Sequence, residues 1–291
     1  MKDVPSVDFA ALRNPVLPGW YADPELRFHD GLFWIYPTLS LPYEEQTHFD
    51  AFSSPDLVTW TRHPEVLRLK DVGWSSGRCA WAPSVLPAYG SRFMFFSSGD
   101  GDGIGLGVWH KFDRRFVEPL RRPFIGEWPF GAQPIDAQAF IDDDGAAWLY
   151  FGGHGRCVAV RLRPDLNGHM GEFHLVTPPG YVEGPFMFKR AGRYYFTWSE
   201  GNWSNDSYGV AYAIADNPLG PFERMGCILK GDGRVGTGAG HASFLQIPGT
   251  DDWVVAYHRR PVGDADIHHR VSCIDRVFFR TDSTIEPVRM T

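Results

Sequence analysis

Residues 184–201 read GPFMFKRAGRYYFTWSEG, and residues 136–153 read DAQAFIDDDGAAWLYFGG. Each is a short apolar segment, a turn ending in glycine, and an aromatic-rich segment closing on small or polar residues. This is the pattern of two strands joined by a tight turn, because aromatic and β-branched side chains suit a pleated surface and glycine accepts the turn conformation. The pattern recurs at 23–38 (DPELRFHDGLFWIYPT), 82–99 (APSVLPAYGSRFMFFSSG) and 242–260 (ASFLQIPGTDDWVVAYHRR). The turn glycines are Gly31, Gly90, Gly145, Gly192 and Gly249, spaced by 59, 55, 47 and 57 residues, so five units of about 55 residues occupy nearly the whole chain. Further strand-like segments follow each hairpin (AFSSPDLVTW, GLGVWHKF, CVAVRLRPDL, YGVAYAIA, HHRVSCIDRVFF), and no segment of about 12 residues carries a convincing helical period. Repeated sheets of this kind stack on their neighbours, so the expected fold is all-β: a five-bladed β-propeller with four-stranded blades around a central channel. A β-sandwich or jelly roll would also have short strands and turns, but it does not call for five self-similar units. No linker or charge shift divides the chain, which predicts a single propeller domain over 1–291 with a short lead-in at 1–13.

The composition fits this reading. The 291 residues are 43% apolar and 22% charged, with 11 Trp, 11 Tyr and 22 Phe, which excludes disorder for most of the chain. The net charge of −7 leaves no basic face for a nucleic-acid backbone. No apolar run approaches the ~18 residues that a membrane-spanning helix needs. The opening MKDVPSVDFAALRNP has no apolar core of an export signal, so a cytoplasmic location is expected. Cys79, Cys157, Cys227 and Cys273 are scattered without a CxxC pair, which favours buried thiols over disulfides or zinc.

The first strand of a propeller blade lines the channel, so groups at its start approach the axis. Three units open on a carboxylate: Asp23 in LPGWYADPE, Asp136 in QPIDAQAF and Glu183 in YVEGPFMF. Singly, each is an ordinary turn or loop residue. Together, at matching places in a repeat, they predict one pocket. Two separated carboxylates are what glycosidic bond cleavage requires, one to protonate the leaving oxygen and one to activate water or attack. A third beside the acid raises its pKa, since neighbouring negative charges resist joint ionisation. Asp142, Asp143 and Asp144 sit in a hairpin turn where exposure accounts for them, and Asp100 and Asp102 in SSGDGDGIG read as a flexible loop. That loop lacks the lysine of a phosphate-binding loop.

The segments NPVLPGWYADPELRFHDGLFWIYPT, WAPSVL, PIDAQAFIDDDGAAWLYFGG, EGPFMFKRAGRYYFTWSEG and HRVSCIDRVFF, in this order over roughly 14–290, resemble glycoside hydrolase family 43. The resemblance implies a five-bladed propeller and hydrolysis with inversion, mainly of arabinose- and xylose-containing plant oligosaccharides and polysaccharides. It matches Asp23 to the general base, Asp136 to the pKa-modulating acid and Glu183 to the general acid. It also matches Arg270 to an arginine that reaches the sugar hydroxyls, the alternative being a surface ion pair. His241, in GTGAGHASF, matches a channel histidine near a calcium or other cation held largely by water. A metal-free, hydrogen-bonded role for His241 stands beside that one, and no cofactor is required for the chemistry.

Trp20 and Tyr21 flank the base and Trp81 opens the second unit. Aromatic faces stack on sugar C–H surfaces, so these three are expected substrate contacts, with core packing as the alternative, equally weighted for Trp81. Trp198 and Trp203 read first as core and second as an outer subsite. His258, His268 and His269 read as loop and rim, and Arg276 as structural. The expected activity is exo-acting α-L-arabinofuranosidase on oligosaccharides, with β-xylosidase and endo-arabinanase as alternatives within the class. A non-catalytic carbohydrate-binding propeller would require the loss of one of the three acids. A retaining fructan-cleaving enzyme would require a central Arg-Asp-Pro and a Glu-Cys pair, which are absent from the sequence.

Overall fold

The computed structural model describes residues 5–291. Five antiparallel sheets are arranged as a ring, each numbered here from the channel outward in chain order. The first blade holds β1 (Tyr21–His29), β2 (Leu32–Leu39), β3 (His48–Ser54) and β4 (Thr61–Arg68); the second β5 (Trp81–Ala88), β6 (Ser91–Ser98), β7 (Gly103–His110) and β8 (Arg115–Val117). The third holds β9 (Gln138–Ile141), β10 (Ala147–Phe151), β11 (Val158–Leu162) and β12 (His169–Leu175), and the fourth β13 (Glu183–Arg190), β14 (Arg193–Glu200), β15 (Gly209–Ala215) and β16 (Arg224–Lys230). The fifth has three strands, β17 (Thr237–Gln246), β18 (Trp253–Arg260) and β19 (Val271–Val277). The five-bladed propeller expected from the repeat is therefore present, with one strand fewer in the last blade.

The place of that missing strand is explained by ring closure. The segment between the lead-in and β1 runs along β19: Val16 N–H donates to Ser272 O at 2.9 Å, and the Asn14 side chain pairs with both the N–H and the C=O of Ile274, at 2.8 and 3.0 Å. The chain's beginning thus closes the fifth blade and carries on directly into β1. The first four residues of the 1–13 lead-in lie outside the described residues.

The aromatic load is spent between blades. Along β2, Phe33 and Ile35 pack toward β18 of the fifth blade, whereas Trp34 and Tyr36 pack toward β6 of the second. Along β6, Met94 and Phe96 face back to the first blade while Phe93 and Phe95 face the third. The same alternation gives the third–fourth and fourth–fifth interfaces their own cores. A strand buried on both faces reads as a near-continuous apolar run, which is why these hairpins stand out in the sequence. Asp142 departs from the expected exposure. It is buried between blades, accepting from Lys189 Nζ at 2.7 Å and Tyr194 OH at 2.5 Å. Nor are Asp100 and Asp102 loose: they accept from Gln133 Nε2 and from Ser76 N–H, both at 2.8 Å. All four cysteines are free thiols, three of them buried.

Candidate active site

Each blade enters the channel through the same distortion. The pairing of first and second strands slips after Ala22, Trp81, Glu183 and Gly240, and the residue that follows has a left-handed backbone. These are Asp23 (φ 49°), Ala82 (φ 40°), Gly184 (φ 62°) and His241 (φ 46°), and Asp136 (φ 56°) holds the corresponding place just before β9. Such bulges re-aim a side chain out of the sheet, and conformations of this kind persist in non-glycine residues only where the surroundings hold them.

The holding is done by hydrogen bonds from one blade to the one before. Ala82 N–H donates to Thr38 Oγ1 at 2.8 Å, Asp136 N–H to Ser97 Oγ at 3.0 Å, and His241 N–H to Ser199 Oγ at 3.0 Å. Asp23 N–H donates to His258 Nδ1 at 3.2 Å. In the third blade Gly152 stands where the others carry this acceptor, seven residues after the turn glycine as in Thr38, Ser97 and Ser199. The N–H of Gly184 goes instead to the carboxylate of Asp136, at 3.1 Å from Oδ2. The three acids are therefore not quite equivalent. Asp23 and Asp136 occupy the distorted position, while Glu183 lies one residue earlier, in register with Trp81.

These positions converge on one hollow lined by Asp23, Asp136, Glu183, Trp81, Ile135, His241 and Arg270, with Tyr43 and Trp203 from loops. With its open mouth included, the hollow encloses about 440 Å³. A second, smaller cavity of about 280 Å³ adjoins it, sharing Asp23, Asp136 and His241 and lined also by Ala82, Pro83, Ala137, Pro185 and Ala242.

The charges within it are unequal. Asp23 Oδ1 accepts from Arg270 Nη1 at 3.4 Å, and His258 Nδ1 and His241 Nδ1 lie 3.0 and 3.4 Å from it. Its Oδ2 has no hydrogen bond among the described residues. Burial alone would push the Asp23 carboxyl up, but Arg270, His241 and His258 outweigh it and hold the group far below the usual carboxylate range. Asp136 is pushed up to about 8, first by burial and then by the charge of Asp23. Glu183 is pushed up to about 7, by burial and then by Asp136, against the pull of Tyr208, whose hydroxyl donates to Oε1 at 2.8 Å. One ionised carboxylate and two held protonated near neutrality is the division of labour that acid–base chemistry needs.

The rim is aromatic. Tyr43 meets Trp81 edge-on at 5.2 Å and His268 at 5.3 Å, and the Arg270 guanidinium lies 5.3 Å from the Trp203 ring. Trp81 Nε1 donates to Gln46 Oε1, and Arg260 Nη1 donates to the carbonyl of Trp203 at 2.9 Å, fixing both walls. Of the expected contacts, Trp81 and Arg270 line the hollow. Tyr21 does not: its ring packs on Phe52 and its hydroxyl donates to Asp50 at 2.7 Å, in the core between the fifth and first blades. Trp20 stands outside the lining, stacked on His269 at 4.1 Å. Trp203 is a wall, whereas Trp198 is fully buried core. His258 is no rim residue; it is buried on β18 against Asp23. Arg276 pairs with Asp252 at 2.6 Å. Tyr43 gave no signal in the sequence because a loop places it.

The channel donors do not fit a directly bonded calcium. Calcium takes six to eight oxygen ligands, and near His241 the candidates are engaged already. Ser84 donates to Glu25, which also pairs with Arg27, and Gln138 bonds Met187 N–H and C=O. Among the described residues no cluster of three His, Cys, Asp or Glu side chains suits a metal ion.

Residues 12–285 match the family described as Glycosyl hydrolases family 43. The chain is 48% identical over 290 residues to the β-D-galactofuranosidase xynD of Aspergillus niger, covering 96% of this chain and 85% of that one. It is 24% identical to the arabinoxylan arabinofuranohydrolase of Bacillus subtilis, covering 82% of this chain and 54% of that protein. Among solved structures, an α-L-arabinofuranosidase from Clostridium thermocellum superposes with a TM-score of 0.77 at 29% identity, covering 93% and 94% of the two chains. With the propeller, the carboxylates on its axis and a match across nearly its full length, the chain belongs to glycosyl hydrolases family 43.

Proposed function

We propose that this glycoside hydrolase is an exo-acting, inverting furanosidase that removes terminal β-D-galactofuranosyl residues. The similarity to the Aspergillus niger galactofuranosidase along almost the whole chain carries the choice of sugar. A second reading, α-L-arabinofuranosidase, is favoured by the likeness to the Clostridium thermocellum enzyme. The two readings are chemically close. β-D-galactofuranose and α-L-arabinofuranose have the same configuration around the ring and differ only in the exocyclic arm, so one set of ring contacts serves both. A small hollow with an aromatic rim suits one terminal sugar better than the middle of a chain.

In this reading the free Oδ2 of Asp23 takes a proton from water as that water attacks the anomeric carbon. Glu183, protonated, passes its proton to the departing oxygen, and the oxocarbenium-like transition state collapses in one displacement. Asp136 accepts from Gly184 N–H, next in the chain to Glu183, and so orients the acid as well as resisting its ionisation. Arg270 has Nη1 toward Asp23 and Nε toward Ser40 Oγ at 3.0 Å, which leaves Nη2 for sugar hydroxyls. The test is a panel of nitrophenyl glycosides. The β-D-galactofuranoside should have the highest kcat/KM, the α-L-arabinofuranoside a lower one and the β-D-xylopyranoside the lowest. A preference for the xyloside would overturn the assignment.

A further inference from the structure

Tyr208, the residue before β15, is buried, and its hydroxyl donates to Oε1 of Glu183 at 2.8 Å. The surrounding chain is built to hold it there. The β14–β15 loop is tied into turns, with Tyr208 N–H donating to Asn205 O at 3.4 Å and Ser207 Oγ to Asn205 Oδ1 at 2.6 Å. The ring is stacked on that of buried His258, the centroids 5.8 Å apart, and Gly240 makes room for it: a Cβ there would stand 2.1 Å from Cε1. Packing of this kind fixes the direction of the one polar atom the side chain carries. Burial, and then the charges of Glu183 and Asp23, push the phenol well above its ordinary range, so it keeps its proton and stays a donor. Oε2 of Glu183, by contrast, has no hydrogen bond among the described residues.

We infer that Tyr208 is a positioning residue for the general acid: by donating to Oε1 of Glu183 it keeps the transferable proton on Oε2 and holds the charge which that proton leaves behind. This rests on the reading of Glu183 as acid. In the displacement the Oε2–H bond breaks, its electron pair stays with the carboxylate, and the proton joins the departing glycosidic oxygen. The phenol keeps its own proton throughout. The acceptor of the Tyr208 bond thereby changes from a neutral carboxyl to a carboxylate, and a hydrogen bond to a charged group is about twice as strong as a neutral one. An interaction that strengthens as the proton moves lowers the barrier instead of only tightening binding. It counts most where a poor leaving group needs its proton early, and least for a nitrophenolate, which departs with little help.

Tyr208→Phe is the discriminating variant, since it keeps the ring on His258 and against Gly240 and removes only the hydroxyl. Expected is a folded protein with an unchanged circular dichroism spectrum, whose kcat on an oligosaccharide falls about 10-fold. On the matching nitrophenyl furanoside kcat should fall much less, with KM little changed on either substrate. The basic limb of the kcat/KM profile should move to higher pH, because Glu183 loses a donor to its charged form. The other titratable groups around Glu183 are Asp136 before β9, Tyr181 before β13, His241 on β17, Asp23 on β1 and Tyr43 on the β2–β3 loop. The substitution leaves all of them in place, so the shift reads the hydroxyl. Equal losses on the two substrates, or none, with the basic limb unmoved, would reduce Tyr208 to packing and overturn the inference. Glu183→Ala, measured on the same pair of substrates, separates the two claims. If it lowers both alike, the assignment of the acid fails; if it spares the nitrophenyl furanoside while Tyr208→Phe does not distinguish the two, only the role of Tyr208 fails.

Discussion

Asp23 and Glu183 are both carboxyl groups in one hollow, and their surroundings separate them. Asp23 meets a guanidinium and two imidazoles, while Glu183 meets a tyrosine hydroxyl and a neighbouring acid. The sign of the pH dependence follows. As the proposed base, Asp23 is charged above its depressed pKa, so activity should persist well into the acid range. Glu183, as the proposed acid, works only while protonated, so kcat/KM should fall as pH rises through about 7. Glu183→Ala should spare nitrophenyl glycosides, whose leaving groups need little protonation, and damage oligosaccharide cleavage more. Asp23→Ala should lower both by about 100- to 10,000-fold. Steady-state rates on the two substrate types check this, and equal mild losses would contradict it. The carboxylates were legible in the sequence because each opens a unit of the repeat. His258 was not, since an alternating strand of the form VVAYHRR hides which residue lies under the neighbouring blade.

The bulged entry to each blade is the element that makes the site. It was invisible in the sequence, because Asp and His tolerate a left-handed backbone without requiring it and Ala disfavours it. Only Gly184 has the residue type that such a conformation favours, and there the carboxylate stands one place earlier, at Glu183. The hairpins, by contrast, were plain, since strands buried on both faces are written as unbroken aromatic runs. Gly240, in register with Glu183 and Trp81, shows how tightly the entry is packed. A Cβ there would stand 2.1 Å from Cε1 of Tyr208. Gly240→Ala should therefore displace the Tyr208 ring from Glu183, lowering kcat by up to about 100-fold and stability by about 1–3 kcal/mol. Kinetics together with a thermal melt would measure both, and an unchanged kcat would contradict the packing account. Tyr43 and Trp203 belong to the part that sequence could not place, for both reach the hollow from loops whose course depends on the closed ring.

At the scale of the whole molecule, the ring gathers groups from residues 23 to 270 around one axis, so its closure is a condition of the chemistry. The spacing of five turn glycines made the ring legible; the three-stranded last blade and the segment before β1 that completes it were not, because Asn14 acts through a side chain and not through a strand pattern. Asn14→Ala leaves the N–H and C=O of Ile274 without these partners, which should cost about 1–3 kcal/mol, read as a lower denaturant midpoint with kcat unchanged. The direct test of the central claim, that the three carboxylates act together in a single displacement, is the anomeric configuration of the first sugar released, followed by proton NMR before mutarotation. From a β-D-galactofuranoside the account predicts the α-anomer. Release of the β-anomer, with the configuration kept, would contradict it.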